Sequence, residues 1–251
     1  MVVGLVGSGN MATALARGWG EPVLCTDVFE DRAKALAQAT GGEAVASNAE
    51  LAERADVVML CHKPYQLDEV AGQIGGRAKA VASILAGVPL SALEAAYPDA
   101  PVMRLMPNTA VEVRRGVVCY APGSRMQDPL AGELLELLGR SGRVVAVEER
   151  LMDVAMALIS VAPAYVALIA EAWIDAGVAR GMPADQAAQM VAEAIAGSAD
   201  LLIANDLDTL ATRRAVTTPG GVTAQGLAAL ERGGVRDALR EALDAVVDHV
   251  A

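Results

Sequence analysis

Aromatic side chains are scarce. One Phe, two Trp and four Tyr make up 3% of 251 residues, against 54% apolar residues overall. Ala, Leu and Val must therefore fill the core, which favours helices packed through small side chains and leaves apolar surface over for a subunit interface. An oligomer is expected. Positive charge is also in short supply: 20 Lys and Arg stand against 31 Asp and Glu, for a net charge of -11. Binding a polyanion needs a basic footprint, so nucleic acid and anionic membrane surfaces are excluded as expected partners.

Cysteine and histidine are few as well. Cys25, Cys61 and Cys119 are odd in number, far apart and set in apolar runs, which excludes a disulfide framework and a zinc spacing. No metal site is expected, and a reducing cytoplasmic setting is. His62 stands between Cys61 and Lys63 and reads as a polar edge residue, while His249 reads as inert. A secretory leader is not expected, since the opening run MVVGLVG has no basic segment or cleavage site. Residues 151–174 are apolar enough to raise the question of a membrane span. Pro163, Tyr165 and Glu171 interrupt them, so a buried helix is expected there. Glu148, Glu149 and the run 231–240 read as solvated faces, and Met103 and Met106 as core.

What the chain does have is an orderly alternation. Short β-rich runs at 2–7, 22–27, 55–61, 80–86, 101–107, 116–122 and 143–149 are separated by Ala-rich stretches that read as helices from about Ala12, Arg32, Ala49, Leu67 and Leu90. That order predicts an α/β domain of Rossmann type with a mostly parallel sheet over 1–149. Every segment after it reads as helix, so residues 150–251 are expected to form an all-helical domain, with no linker or repeat between.

The glycine motif GSGNMA, 7–12, lies between the first strand and the first helix. Gly7 permits a tight turn, Gly9 lets backbone approach a pyrophosphate, and Ala12 lets helix and strand pack closely. Twenty residues after Gly7, Asp27 ends the second strand and can accept from an adenosine ribose, which favours NADH. Arg32, about one helical turn on, could instead hold a 2′-phosphate, so NADPH stays open.

Four stretches resemble one family: GSGNMATALARG from Gly7, HKPYQ from His62, RLMPNT from Arg104 and, most specifically, VTTPGGVTAQGLAALE from Val216. Together they are similar to the pyrroline-5-carboxylate reductases. The resemblance implies a Rossmann-type domain for NADPH or NADH and a helical domain that builds a homodimer, in some members a ring of dimers. It also implies a small imino-acid substrate, reduced to proline. Gly7, Ser8, Gly9, Asn10 and Met11 would lie under the pyrophosphate, Asn48 near the adenosine ribose and Lys63 with Pro64 beside the coenzyme. Met106, Pro107 and Asn108 would lie near the nicotinamide. Thr217, Thr218, Gly220, Gly221, Val222 and Thr223 would hold the substrate, its carboxylate at the free amides of a helix N-terminus. Thr223 would hydrogen-bond the ring nitrogen or relay a proton, against the plainer reading that these hydroxyls only cap the helix.

One segment departs from the family. Where Ser-Gly-Ser-Gly-Pro-Ala is usual, this chain has Ile159, Ser160, Val161, Ala162, Pro163 and Ala164. Bulkier side chains narrow whatever space the glycines leave. Two other readings follow, a paralogue that reduces a different cyclic imino acid and a catalytically silent dinucleotide-binding sensor. Arg213 and Arg214 also stand where the family often carries an acid.

Overall fold

A computed structural model describes residues 1–127 and 129–250. Eight strands form one sheet: β1 (Val3–Val6), β2 (Leu24–Thr26), β3 (Glu43–Ala44), β4 (Val57–Leu60), β5 (Val81–Ser83), β6 (Val102–Pro107), β7 (Gly116–Pro122) and β8 (Gly142–Ala146). They lie in the order β3-β2-β1-β4-β5-β6-β7-β8. Every neighbouring pair is parallel except β6 and β7. Parallel neighbours need crossovers, and five helices supply the first ones: α1 (Asn10–Trp19), α2 (Glu30–Thr40), α3 (Asn48–Arg54), α4 (Leu67–Ile74) and α5 (Leu90–Ala96). Only the short turn Thr109–Val113 joins β6 to β7, too little chain for a crossover, so that pair is antiparallel. The strand order doubles back between β1 and β4, where doubly wound sheets open a crevice for ligands.

The structure adds two elements to the expected set. β3 is two residues long, so no alternation announces it, and it is defined by pairing Leu24 with Glu43 and Cys25 with Ala44. The crossover from β7 to β8 is α6 (Leu130–Gly139), whose buried Leu134, Leu137 and Leu138 do follow helical spacing.

Adjacent strand residues point to opposite faces, and each face has its own core. Leu5, Met59, Met103 and Leu105 pack with Leu15, Leu36 and Leu134 on one side. Val6, Val58, Leu60 and Val81 pack with Leu51, Ile74 and Leu93 on the other. Burying one such side chain contributes about 1.5–3 kcal/mol. Both faces being covered is what makes these strands apolar throughout rather than alternating.

After β8 the chain is helical: α7 (Met152–Ile159), α8 (Ala162–Val178), α9 (Ala184–Ala204), α10 (Thr209–Ala215), α11 (Val222–Arg232) and α12 (Val235–Val250). It divides into two compact units, Met1–Pro163 with the chain from Val247, and Ala164–Val246. In the first unit α7 packs on β6 and β7 and buries Met152, Ala155, Met156 and Ala157. The single buried helix expected over 151–174 is thus two, interrupted at Ser160 and Val161, and only α7 is buried.

In the second unit α8 buries none of its residues in the lone chain. Trp173 and Ile203 are 55% and 61% exposed. By length and composition alone, Glu149–Val178 and Ala184–Ala204 would suffice to cross a membrane. Gly177 of α8 lets Ala187 of α9 come close, and Tyr165 Oη donates to the Ala242 carbonyl.

Candidate functional site

The glycine turn is built by what surrounds it. Gly7 leaves β1 with φ +101°, and a Cβ there would stand 2.8 Å from the Cys61 backbone. Only glycine fits that conformation and that approach. Gly9 is different: its φ is -77°, and a Cβ on it would meet nothing within 4 Å. Gly9 is also the N-cap of α1, no side chain caps it, and the first turn holds no acid. The first-turn amides of α1 are therefore free, at the positive end of the helix dipole. An open cradle under uncapped amides fits the pyrophosphate of a dinucleotide.

Gly7, Ser8, Gly9, Asn10 and Met11 share one groove of about 1530 Å³ with Asp27, Asn48 and Lys63. Pro64 opens the adjoining turn Pro64–Gln66 and is not part of the wall. Asp27 holds the glycine turn in place: Oδ2 accepts from the Ser8 N–H at 2.7 Å, and Oδ1 accepts from the Phe29 N–H at 2.9 Å. Each oxygen keeps accepting capacity for a ribose hydroxyl. Thr26 Oγ1 donates to Asn48 Oδ1, and Asn48 Nδ2 donates to Gln73 Oε1, both at 2.5 Å, so this amide is clamped between two elements. The Arg32 guanidinium lies 4.6 Å from the Phe29 ring centroid and has no ion-pair partner among the described residues. Lys34, by contrast, is tied to Glu30 at 2.7 Å.

Three ring side chains of the groove wall stand outside the expected site residues. His62 is in the wall, with Nδ1 2.9 Å from the Lys63 carbonyl and Nε2 buried without a partner. That contact puts the ring proton on Nδ1, and burial lowers the imidazole pKa, which keeps the ring neutral. The other two, Phe29 and Tyr65, are 59% and 85% exposed. A signal was available: all three follow closely on the ends of β2 and β4, the strands that flank β1.

Met106, Pro107 and Asn108 end β6, two strands away from β4, outside the groove wall. Met106 is buried, and Asn108 Oδ1 accepts from the Val117 N–H at 3.1 Å. Ser160 Oγ donates to the Pro107 carbonyl at 3.2 Å, so the departing segment touches this strand end directly. Glu149 is not the solvated acid expected. It pairs with the buried Arg104 at 2.7 Å and accepts from the Leu90 N–H at 2.8 Å, and Asp153 takes the other Arg104 nitrogen at 2.8 Å. An interior cation requires such partners, which draw α7 onto β6.

In the second unit the Pro-Gly-Gly stretch is a turn. The Gly221 N–H donates to the Thr218 carbonyl at 3.0 Å, and Gly220 has φ +72°, as the third position of a type II turn requires. Gly221 is the N-cap of α11, without a side-chain cap. Thr217 Oγ1 donates back to the Arg213 carbonyl at 2.6 Å, and Val222 is 90% exposed. None of the three hydroxyls caps α11, so Thr223 stands in a first turn whose amides are free. This stretch and the glycine turn belong to different units.

Comparison with known proteins matches both parts of the chain. The family described as pyrroline-5-carboxylate reductase dimerisation matches residues 149–251, and that described as NADP oxidoreductase coenzyme F420-dependent matches residues 2–87. Pyrroline-5-carboxylate reductase from Synechocystis is 36% identical over 200 residues, 79% of this chain and 75% of that one. The Methanosarcina acetivorans enzyme of the same name is 31% identical over 252 residues, covering 96% and 93%. Among solved structures, pyrroline carboxylate reductase of Plasmodium falciparum with NADP bound has a TM-score of 0.89 at 26% identity, covering 100% of this chain and 97% of that one.

Proposed function

The chain belongs to the pyrroline-5-carboxylate reductase family, and from that premise we propose that it reduces the C=N bond of pyrroline-5-carboxylate, yielding proline, with NADPH or NADH as reductant. The observation that carries the reading is the uncapped start of α1 over an open Gly9, in a chain alike over nearly its whole length to enzymes of that name. A bound reduced nicotinamide supplies the hydride. The protein's own task is then to hold the coenzyme, align the imine and keep its nitrogen protonated.

Residue roles follow from that division. Gly7 to Met11 receive the pyrophosphate, Asp27 and Asn48 the adenosine ribose, and Lys63 with Pro64 the neighbouring coenzyme atoms. Met106, Pro107 and Asn108 form the strand-end loop on the nicotinamide side. Val222 and Thr223 offer first-turn amides to the substrate carboxylate, Gly220 and Gly221 with Thr217 and Thr218 shape the turn that opens them, and the Thr223 hydroxyl addresses the ring nitrogen. Residues 1–149 act as the coenzyme domain and 150–251 as the dimerisation and substrate domain. All three cysteines are free, which accords with a reducing cytoplasm.

The direct test is oxidation of NADPH and of NADH, in parallel, with pyrroline-5-carboxylate. The departing segment at 159–164 favours a second reading, a different cyclic imino acid, so a six-membered substrate belongs in the same panel. Turnover on that substrate alone would replace the first reading. Coenzyme binding without turnover on any imine would identify a silent sensor.

Coenzyme choice is set by two opposed charges. Asp27→Asn keeps an acceptor for the glycine turn and removes the negative charge opposite a 2′-phosphate. It is expected to raise the NADPH to NADH ratio of kcat/KM roughly tenfold, about 1.4 kcal/mol. Arg32→Ala is expected to move the ratio the other way. An unmoved ratio in both variants would mean that the ribose is read elsewhere.

The exposed apolar faces of α8 and α9 meet a second copy in this reading, as the dimerisation family over the same residues supports. Light scattering at micromolar concentration is expected to give at least twice the 25.8 kDa chain mass, in multiples of two for a ring of dimers. A monodisperse monomer would contradict it.

A further inference from the structure

The first unit holds five aromatic side chains, and their distribution is uneven. Trp19 and Tyr97 are buried and Tyr120 is half-buried. The two exposed ones, Phe29 and Tyr65, both line the groove that contains the glycine turn. In a chain with so few rings, two of them wet on the wall of one groove call for a ligand with a flat face.

Their places in the fold are complementary. Phe29 follows the end of β2 and Tyr65 the end of β4, and these strands lie on either side of β1, whose end carries the glycine turn. A pyrophosphate held at that turn therefore has one aromatic rim on each side. Phe29 is additionally covered by the Arg32 guanidinium, 4.6 Å from the ring centroid, which stiffens it without covering it fully, since it remains 59% exposed. Tyr65 sits on the short turn Pro64–Gln66, whose start is pinned by a hydrogen bond from the Lys63 N–H to Gln66 Oε1. Phe29 is likewise held at its backbone, its N–H donating to Asp27 Oδ1 and its carbonyl accepting from the Arg32 N–H.

We propose that Phe29 and Tyr65 are the two adenine-recognising rims of the coenzyme site, taking the purine by stacking. The purine offers a π-face to each ring, and stacking of this kind tolerates either coenzyme, because the 2′ position is not part of the contact. Recognition of the base is thereby separate from the choice between NADH and NADPH, which falls to Asp27 and Arg32. The proposal rests on the coenzyme reading above.

Two fragments of the coenzyme separate the parts of the site. ADP-ribose carries the adenine but no nicotinamide, and reduced nicotinamide mononucleotide carries the reverse. By calorimetry on the full chain, Phe29→Ala and Tyr65→Ala are each expected to weaken ADP-ribose binding about tenfold, while the mononucleotide changes by less than about twofold. Phe29→Tyr and Tyr65→Phe keep the rings and are expected to restore ADP-ribose affinity, which a general loss of structure would not allow. Unchanged ADP-ribose affinity in both alanine variants overturns the proposal, as does an equal loss for both fragments. Loss in one variant alone overturns the two-rim arrangement. If the unaltered chain binds neither NADH nor NADPH, the coenzyme reading itself fails, and it does so before any variant is compared.

Discussion

Gly9→Val is expected to abolish coenzyme binding and leave the fold standing. A Cβ at Gly9 meets nothing within 4 Å, and its φ of -77° is open to any residue, so the empty protein accommodates the branched side chain without strain. The space it fills is the space over the free amides of α1, where a pyrophosphate must touch backbone. A loss on the order of a hundredfold or more in NADH and NADPH affinity follows, about 2.7 kcal/mol, with a stability change within about 1 kcal/mol for an altered N-cap. Gly7→Ala provides the contrast. Its positive φ and a Cβ 2.8 Å from the Cys61 backbone strain the turn itself, so that variant is expected to lose stability along with binding. Coenzyme titration beside thermal melting separates the two. Intact NADH affinity in Gly9→Val would remove the pyrophosphate from this turn.

Thr223→Ala carries the second large effect, and the structure sharpens it. If the threonine were a helix cap, its loss would cost about 1 kcal/mol of stability and leave kinetics nearly intact. Gly221 is the N-cap of α11, however, and no side chain caps it, so stability is expected to move little. If the hydroxyl addresses the imine nitrogen, removing it costs roughly 2 to 4 kcal/mol of transition-state stabilisation, on the order of a hundredfold in kcat/KM. Coenzyme affinity should be spared, because the glycine turn belongs to the other compact unit. Melting temperature, coenzyme affinity and kcat/KM measured on this one variant decide the matter. A fully active variant would take Thr223 out of the chemistry.

The parts of the molecule that read well from sequence are those governed by local rules. The central strands β1, β4 and β5 are apolar runs because both sheet faces are covered there, and Gly7 is legible because a strand-to-helix turn of that kind admits no side chain. The residues that read poorly owe their roles to partners far away in the chain. Glu149 looked solvated because nothing nearby in sequence reveals the buried Arg104, 45 residues earlier. His62 looked like an edge residue because the burial of Nε2 depends on the groove walls around it. Phe29 and Tyr65 share one groove only because β2 and β4 flank β1.

By itself, the sequence determined the α/β class, the dinucleotide turn, the helical C-terminal half and the family, since all of these rest on periodicity, glycine placement and contiguous motifs. Only the tertiary structure decided that β7 runs antiparallel to β6, that residues 151–174 break into a buried α7 and an exposed α8, and that Asp27 braces the glycine turn as well as facing the groove. Strand direction depends on connection length, burial on what packs from a distance, and a carboxylate's partners on which amides the fold brings to it. These are properties of long-range contacts, and a local pattern of residues does not encode them one position at a time.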